Sequence, residues 1–149
     1  MAAIVGKFRI IHRCQRLYIS EQLKDLPMAA RYYSLILAVW NNPGFSQDQL
    51  ARHLRLNKSS IARAVAQLEE QSLVERKVCE TDQRIIRVYP AAGMEEIIPR
   101  IRKAAKEWQE LVTADLSRDE LDQFQWVLDR IKHRAILAID SQYDTEENP

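Results

Sequence analysis

Apolar positions fall at helical spacing over most of this chain and give way to short β-rich runs at one place. Over residues 4–24, Ile4, Phe8, Ile11, Leu17 and Leu23 interleave with Lys7, Arg9, Arg13 and Arg16, a helical rather than alternating pattern. Pro27 predicts its end, because the residue before a proline is pushed out of the α region. A second helix is predicted from about Met28 to Trp40, with Tyr33, Leu35, Ile36, Leu37 and Val39 making it largely buried. Asn41-Asn42-Pro43-Gly44 is a stop-and-turn signal. Ser46, with Gln49 three residues on, reads as a capping box for a short helix to about Leu54. Arg55-Leu56-Asn57 is a turn, and Asn57 suits the N-cap of a helix from Lys58 to about Gln71. In that helix Ile61, Val65 and Leu68 recur at i, i+4 and i+7 and face a core, which leaves Ser59, Ser60, Arg63 and Gln67 on the other side.

Leu73–Val78 and Ile85–Tyr89 are β-rich, and the polar link Cys79-Glu80-Thr81-Asp82-Gln83-Arg84 joins them into a hairpin that Pro90 closes. A long helix is expected from about Gly93 to Leu116, bent near Pro99 because proline removes an internal hydrogen bond. Ser117 and Glu120 form a second capping box, opening a last helix to about Ala138 with Leu121, Phe124, Leu128, Ile131 and Ala135 on one stripe. Residues 141–149 read as a frayed tail. The fold class expected is mainly α with a small β-wing. A winged helix-turn-helix core over 28–90 is flanked by an N-terminal helix, 1–27, and C-terminal helices, 91–140.

At 149 residues, with 46% hydrophobic and 29% charged, the chain has the composition of a soluble helical domain with a real core. No apolar run approaches the roughly 18 residues a bilayer span needs, and the N-terminus has no signal-peptide core. These features place it in the cytoplasm, away from membranes. The net charge of +1 does not announce a nucleic-acid partner, but its distribution is informative. No acidic residue lies between Asp48 and Glu69, a stretch that holds Arg52, Arg55, Lys58 and Arg63. Such a local patch is enough to engage phosphates, although on charge alone a solvated helix face explains it equally well. The scattered His12, His53 and His133 fall in no acid–base motif, and three glycines build neither a phosphate loop nor a nucleophile elbow. No catalytic residue, metal or cofactor is expected.

The run PGFSQDQLARHLRLNKSSIARAVAQLEEQSLVER, followed by TDQR and RVYP, resembles the winged-helix core of the MarR family of bacterial transcriptional regulators. Leu50, Ala51 and Leu54 match its LA-x-x-L helix, and Lys58, Ser59 and Ser60 the start of its recognition helix, with Arg63 following. Leu68, Glu69, Leu73, Val74 and Arg76 match its Leu-Glu-x-x-Gly-Leu-Val-x-Arg segment, and Asp82 with Arg84 its Asp-x-Arg wing. Ser72 departs by standing where the family usually has Gly. In a left-handed conformation it should cost on the order of 1 kcal/mol. Gln83 departs by replacing the first Arg of the common Asp-Arg-Arg wing.

The resemblance implies a two-fold homodimer, built through the terminal helices, that binds an inverted repeat in double-stranded DNA, most simply as a repressor. The stripe on the last helix would supply dimer surface, though an intramolecular core would use the same residues. The DNA-binding set it implies is Lys58, Ser59, Ser60, Arg63, Gln67, Asp82 and Arg84. Ser59, Ser60 and Arg63 would reach base edges or nearby phosphates, Lys58 would hold phosphate, and Arg84 would enter the minor groove. Asp82 would orient Arg84 or brace the wing through a base such as Arg76. The family commonly senses small, often aromatic molecules, and His12, Tyr18, Tyr32, Tyr33 and Trp40 could line such a cleft, although aromatics at this spacing more often belong to a core. Cys14 and Cys79 have no CxxC partner, and Cys14 reads better as a buried structural thiol than as a sensor. Two alternatives stay open: a thiol-redox-responsive repressor, and a winged-helix protein-interaction module without DNA binding.

Overall fold

A computed structural model describes residues 2–146 of the chain, with side chains over 4–140. Six helices and one hairpin follow in the order α1 (Ala2–Gln22), α2 (Pro27–Asn41), α3 (Gln47–Leu54), α4 (Lys58–Glu70), β1 (Val74–Val78), β2 (Ile86–Pro90), α5 (Met94–Val112) and α6 (Arg118–Glu146). The chain divides into two compact units, one through Trp108 and one from Gln109 onward.

The first unit is organised by local signals. Pro27 occupies the first turn of α2, where its missing N–H is no loss. The Ser46 hydroxyl accepts from Gln49 N at 3.1 Å while Gln49 Oε1 accepts from Ser46 N at 2.8 Å, so the expected capping box starts α3. Arg55 ends α3 in the left-handed region, and Ser72 is left-handed at φ 57 after α4. The core joins Ile19 and Leu23 of α1 to Leu35, Ile36 and Val39 of α2, and to Leu50 of α3. Ile61, Val65 and Leu68 of α4, Val74 and Val88 of the hairpin, and Met94 and Ile101 of α5 complete it. The i, i+4, i+7 face predicted for α4 is therefore the buried one.

The hairpin pairs antiparallel, from Val74 opposite Pro90 to Val78 opposite Ile86. A further edge was not visible as a strand. Gly44 N donates to Val88 O and Val88 N to Phe45 O, both at 2.9 Å, and Ser46 bridges Arg87. The Pro43-Gly44 turn thus lays the entrance to α3 along the wing. Gly44 is needed there, because at φ +86 a Cβ would also meet the Tyr89 ring at 3.2 Å.

Several boundaries differ from expectation. Tyr32 has non-helical angles (φ −117, ψ 22), so α2 is kinked. α5 runs through Pro99 without interruption and stops at Val112 rather than near Leu116. In the second unit, the Ser117–Glu120 box starts α6 as predicted, with Ser117 N donating to Glu120 Oε2 at 2.8 Å. α6 continues to Glu146 instead of ending near Ala138. Of the tail expected over 141–149, the backbone is helical to Glu146, and 147–149 lie outside the described residues. Among its side chains Phe124, Trp126, Leu128, Ile131 and Leu137 are exposed.

Candidate nucleic-acid interface

α4 presents its N-terminus to solvent on a well-made cap. Asn57 Oδ1 accepts from Ser60 N at 2.7 Å and from the Ser59 hydroxyl at 2.9 Å. The cap holds Ser59 close to the helix start, where free backbone N–H groups favour an anion. Lys58 lies beside it, its ammonium 3.0 Å from Asp48 Oδ2 with both side chains more than half exposed. A pair so open to water is worth at most about 1 kcal/mol and yields readily to a phosphate. Arg63, one turn after Ser59 on the same face, is exposed and makes no ion pair among the described residues.

Gln67 does not join this face. Its Oε1 accepts the hydroxyl of Tyr32 from α2, and it is half-buried. The outward reading of Gln67 is therefore corrected. Spacing along α4 put it after Arg63, but a long-range partner claims it. The same bond removes Tyr32 from the pool of open aromatics.

Glu69 is a residue that sequence reasoning quoted only as a motif letter. Its Oε1 accepts Arg76 N at 2.9 Å, and its Oε2 takes Arg76 Nε at 2.7 Å and Nη2 at 2.6 Å. The guanidinium first, then the backbone N–H, holds the Glu69 carboxyl below its ordinary range. This clamp ties the end of α4 to β1 and fixes the recognition helix against the wing. The bracing of Asp82 by Arg76 is accordingly replaced: Arg76 belongs to Glu69.

At the wing tip Asp82 Oδ1 accepts Arg84 N at 3.0 Å and Arg84 Nε at 3.2 Å. The Arg84 backbone N–H, followed by its side chain, lowers the Asp82 carboxyl. Arg84 is 91% exposed, so the carboxylate orients a side chain that otherwise stands in solvent. Arg87 Nη1 donates to Gly44 O at 2.9 Å and anchors the wing base. Lys77 Nζ lies 5.1 Å from the Tyr89 ring centre, a cation–π contact on the same hairpin.

Cys79, half-buried at the end of β1, sits 3.3 Å from Thr81 Oγ1. The Thr81 hydroxyl, then the Thr81 and Asp82 backbone N–H groups and Arg87, bring its thiol down to about 7. Cys14, expected as a buried structural thiol, is instead exposed, on the outward side of α1.

The five residues named for an effector cleft occupy separate environments. Tyr18 packs on Trp108 with ring centres 5.5 Å apart, Tyr33 is half-buried with its phenol pushed up by burial, and Trp40 lies against the core. His12 lines a groove between α1 and α2 that none of the other four reaches. Among the described residues no group of three or more His, Cys, Asp or Glu could hold a metal, and no helix is long and apolar enough to cross a membrane.

A capped helix pair, an outward basic face and a hairpin carrying an arginine at its tip define a winged helix-turn-helix domain. The profile of the MarR family matches residues 25–85. A solved structure of MarR is 30% identical, with a TM-score of 0.78 over 89% of this chain and 97% of that one. A MarR family transcriptional regulator from Listeria monocytogenes, solved in complex with 26mer DNA, is 18% identical. It shares the fold with a TM-score of 0.85 over 98% of this chain and 96% of its own. The uncharacterized HTH-type transcriptional regulator YybA of Bacillus subtilis (strain 168) is 22% identical over 111 residues, 74% of each chain. The chain belongs to the MarR family of transcriptional regulators.

Proposed function

We propose that this regulator binds a double-stranded inverted repeat as a homodimer in the cytoplasm, acts as a repressor, and is released by a small-molecule effector. One observation carries the reading: Arg63 on the exposed face of α4 and Arg84 at the wing tip both stand in solvent, one on each DNA-reading element. Lys58, Ser59 and Ser60 complete the helix face, with Arg63 suited to fork onto guanine O6 and N7. Asp82 holds Arg84 extended for a narrow minor groove. Gln67 acts as a brace rather than a reader. The structure in complex with 26mer DNA belongs to a protein of the same fold and supports the same use here.

The dimer follows from uncovered apolar surface. Phe124, Leu128 and Ile131 on α6, and Ile4, Ile11 and Leu17 on α1, are between 36% and 62% exposed in the single chain. Residues 1–27 and 91–140 then serve as dimerisation helices around the lobe at 28–90, and two lobes place half-sites about one helical turn apart. Effector release draws on the α1–α2 region, where His12 lies. A second reading, a thiol-responsive regulator, is favoured by one feature, the Cys79 thiol at about 7 on the wing.

The test is binding of wild type and Arg63→Ala/Arg84→Ala to the DNA upstream of its own gene, titrated across salt. Loss of Arg63 alone should cost about 1–3 kcal/mol, and binding should fall steeply with salt. Equal binding by the two proteins, or equal binding to random DNA, would sink the proposal and favour a protein-interaction module.

A further inference from the structure

A groove of ≈ 810 Å³ lies between α1 and α2, and the DNA-reading face makes no use of it. Arg9, Arg13 and Arg16 line it at i, i+4 and i+7 along α1, and Arg31 lines it from α2. Among the described residues none of these four guanidiniums makes an ion pair. The one carboxylate in the lining, Glu21, is already held by Lys24 Nζ at 2.9 Å and leaves the arginines uncompensated. Like charges around a concave, low-dielectric wall focus the field and concentrate anions there. A guanidinium is a planar fork matched to phosphate or carboxylate oxygens. The volume falls among small-molecule sites, about 300–1,000 Å³, so a bare inorganic ion would leave most of it empty. Leu17 and Ala30 offer apolar wall to an organic body.

The same groove touches the recognition helix through one short chain of contacts. The Arg31 guanidinium lies 5.2 Å from the centre of the Tyr32 ring. Tyr32 is the residue at the kink of α2, and its hydroxyl donates to Gln67 on α4. An anion that draws Arg31 into the groove takes a cation off the face of the side chain that braces α4.

The geometry points to this groove as the site of a small organic anion bearing two or more phosphate or carboxylate groups, read out on α4 through Arg31, Tyr32 and Gln67. The readout half rests on the DNA-binding proposal; the binding half stands without it.

The experiment is isothermal titration of the full chain at constant ionic strength with fructose 1,6-bisphosphate, citrate, and glucose as the uncharged control. Saturable binding of at least one anion, none of glucose, and a tenfold or greater weakening in Arg13→Ala/Arg31→Ala is the expected result. The bisphosphate and citrate arms tell a phosphate ligand from a carboxylate one. No saturable binding of either anion, or an unchanged Kd in that variant, overturns the site. Loss of binding in Arg63→Ala/Arg84→Ala also overturns it, because the anions would then occupy the DNA face. For the readout, the bound anion should change the DNA Kd of wild type at least threefold. Tyr32→Phe should bind the anion normally and show no such change. An unaltered DNA Kd in wild type with anion bound overturns the coupling. Failure to bind DNA without any anion refutes the regulator reading alone and leaves the titration intact.

Discussion

Glu69→Gln tests whether the recognition helix is held to the wing by charge or merely packed there. Glu69 receives three donors from Arg76, at 2.9, 2.7 and 2.6 Å. Charge-assisted bonds are each worth about 1.5–3 kcal/mol where shielded. Here the two side chains are 34% and 37% exposed, so solvent screening brings the whole clamp down to about 1 kcal/mol. Gln retains the shape and one acceptor for the Arg76 backbone N–H. Its amide, however, turns a donor toward the guanidinium, so the side-chain half is lost. The expected cost is about 1 kcal/mol at pH 7, or a fall of about 2–4 °C in Tm for a chain of this size. The sign of the pH dependence follows from the carboxyl lying below its ordinary 4.5 in the folded state. Its contribution is fully present above the unfolded value and disappears as pH falls through the lower, folded one. Urea denaturation of both proteins, at one protomer concentration and at pH 7, 5.5 and 3, should show the stability gap intact at the first two and shrunken at the third. A gap that persists undiminished at pH 3 would mean the lost term is packing and would refute the electrostatic argument. No gap at pH 7 would mean the clamp contributes nothing.

Ser72→Gly should raise stability by about 0.5–1 kcal/mol, since φ 57 strains a side chain that glycine lacks. Gly93→Ala should lower it by about 1–3 kcal/mol, because the new Cβ would stand 2.9 Å from the Ser72 carbonyl oxygen. Thermal melts shifting in these opposite directions check both, and a stabilised Gly93→Ala would contradict the contact. Alkylation of Cys79 by iodoacetamide, followed by mass spectrometry across pH, should show a midpoint near 7 that moves up in Thr81→Val. A midpoint near that of a free thiol in wild type would remove the thiolate from consideration. Leu128→Lys should convert the protein to monomer in sedimentation at micromolar concentration. Replacing an apolar side chain buried twice across a two-fold axis loses about 3–6 kcal/mol in all. A dimer that survives the change would place the interface elsewhere.

What could be read along the chain was what local chemistry decides. Both capping boxes, the Asn57 cap and the buried face of α4 depend on residues within a turn or two of each other, and each is found as read. The left-handed Ser72 was legible for the same reason, as a departure at a position that wants glycine. Gln67 was not, because its partner Tyr32 lies 35 residues away and competes with solvent for it. The pairing of Gly44 and Phe45 with Val88 was hidden too: two residues carry no strand pattern of their own, and a Pro-Gly turn masks the bonds beyond it. Glu69 and Arg76 were both in the quoted motif, seven residues apart. Only the left-handed turn at Ser72 folds that separation into a bond. Cys14 was misjudged because the arginines around it were weighed for their effect on a thiol rather than as marks of an exposed helix face.

The DNA-facing cations share a design that bears on how the site works. Lys58 rests against Asp48, and Arg84 against Asp82, each in a pair open to water and so worth little. Neither pair stabilises the fold to a degree that matters, yet each keeps a long side chain extended and pointed where a phosphate or a narrow groove would take it. Binding DNA then exchanges one anion for another rather than ordering a free side chain, which reduces the entropy lost on association. The buried and half-buried polar contacts behave differently. Glu69 with Arg76 fixes the wing to α4, and Tyr32 with Gln67 fixes α2 to α4. Loose pairs on the reading face and tight ones behind it leave α4 movable as a unit through its braces while its contacts stay poised. A regulator needs that separation if a ligand bound at α1 and α2 is to change DNA affinity without touching the face that reads it.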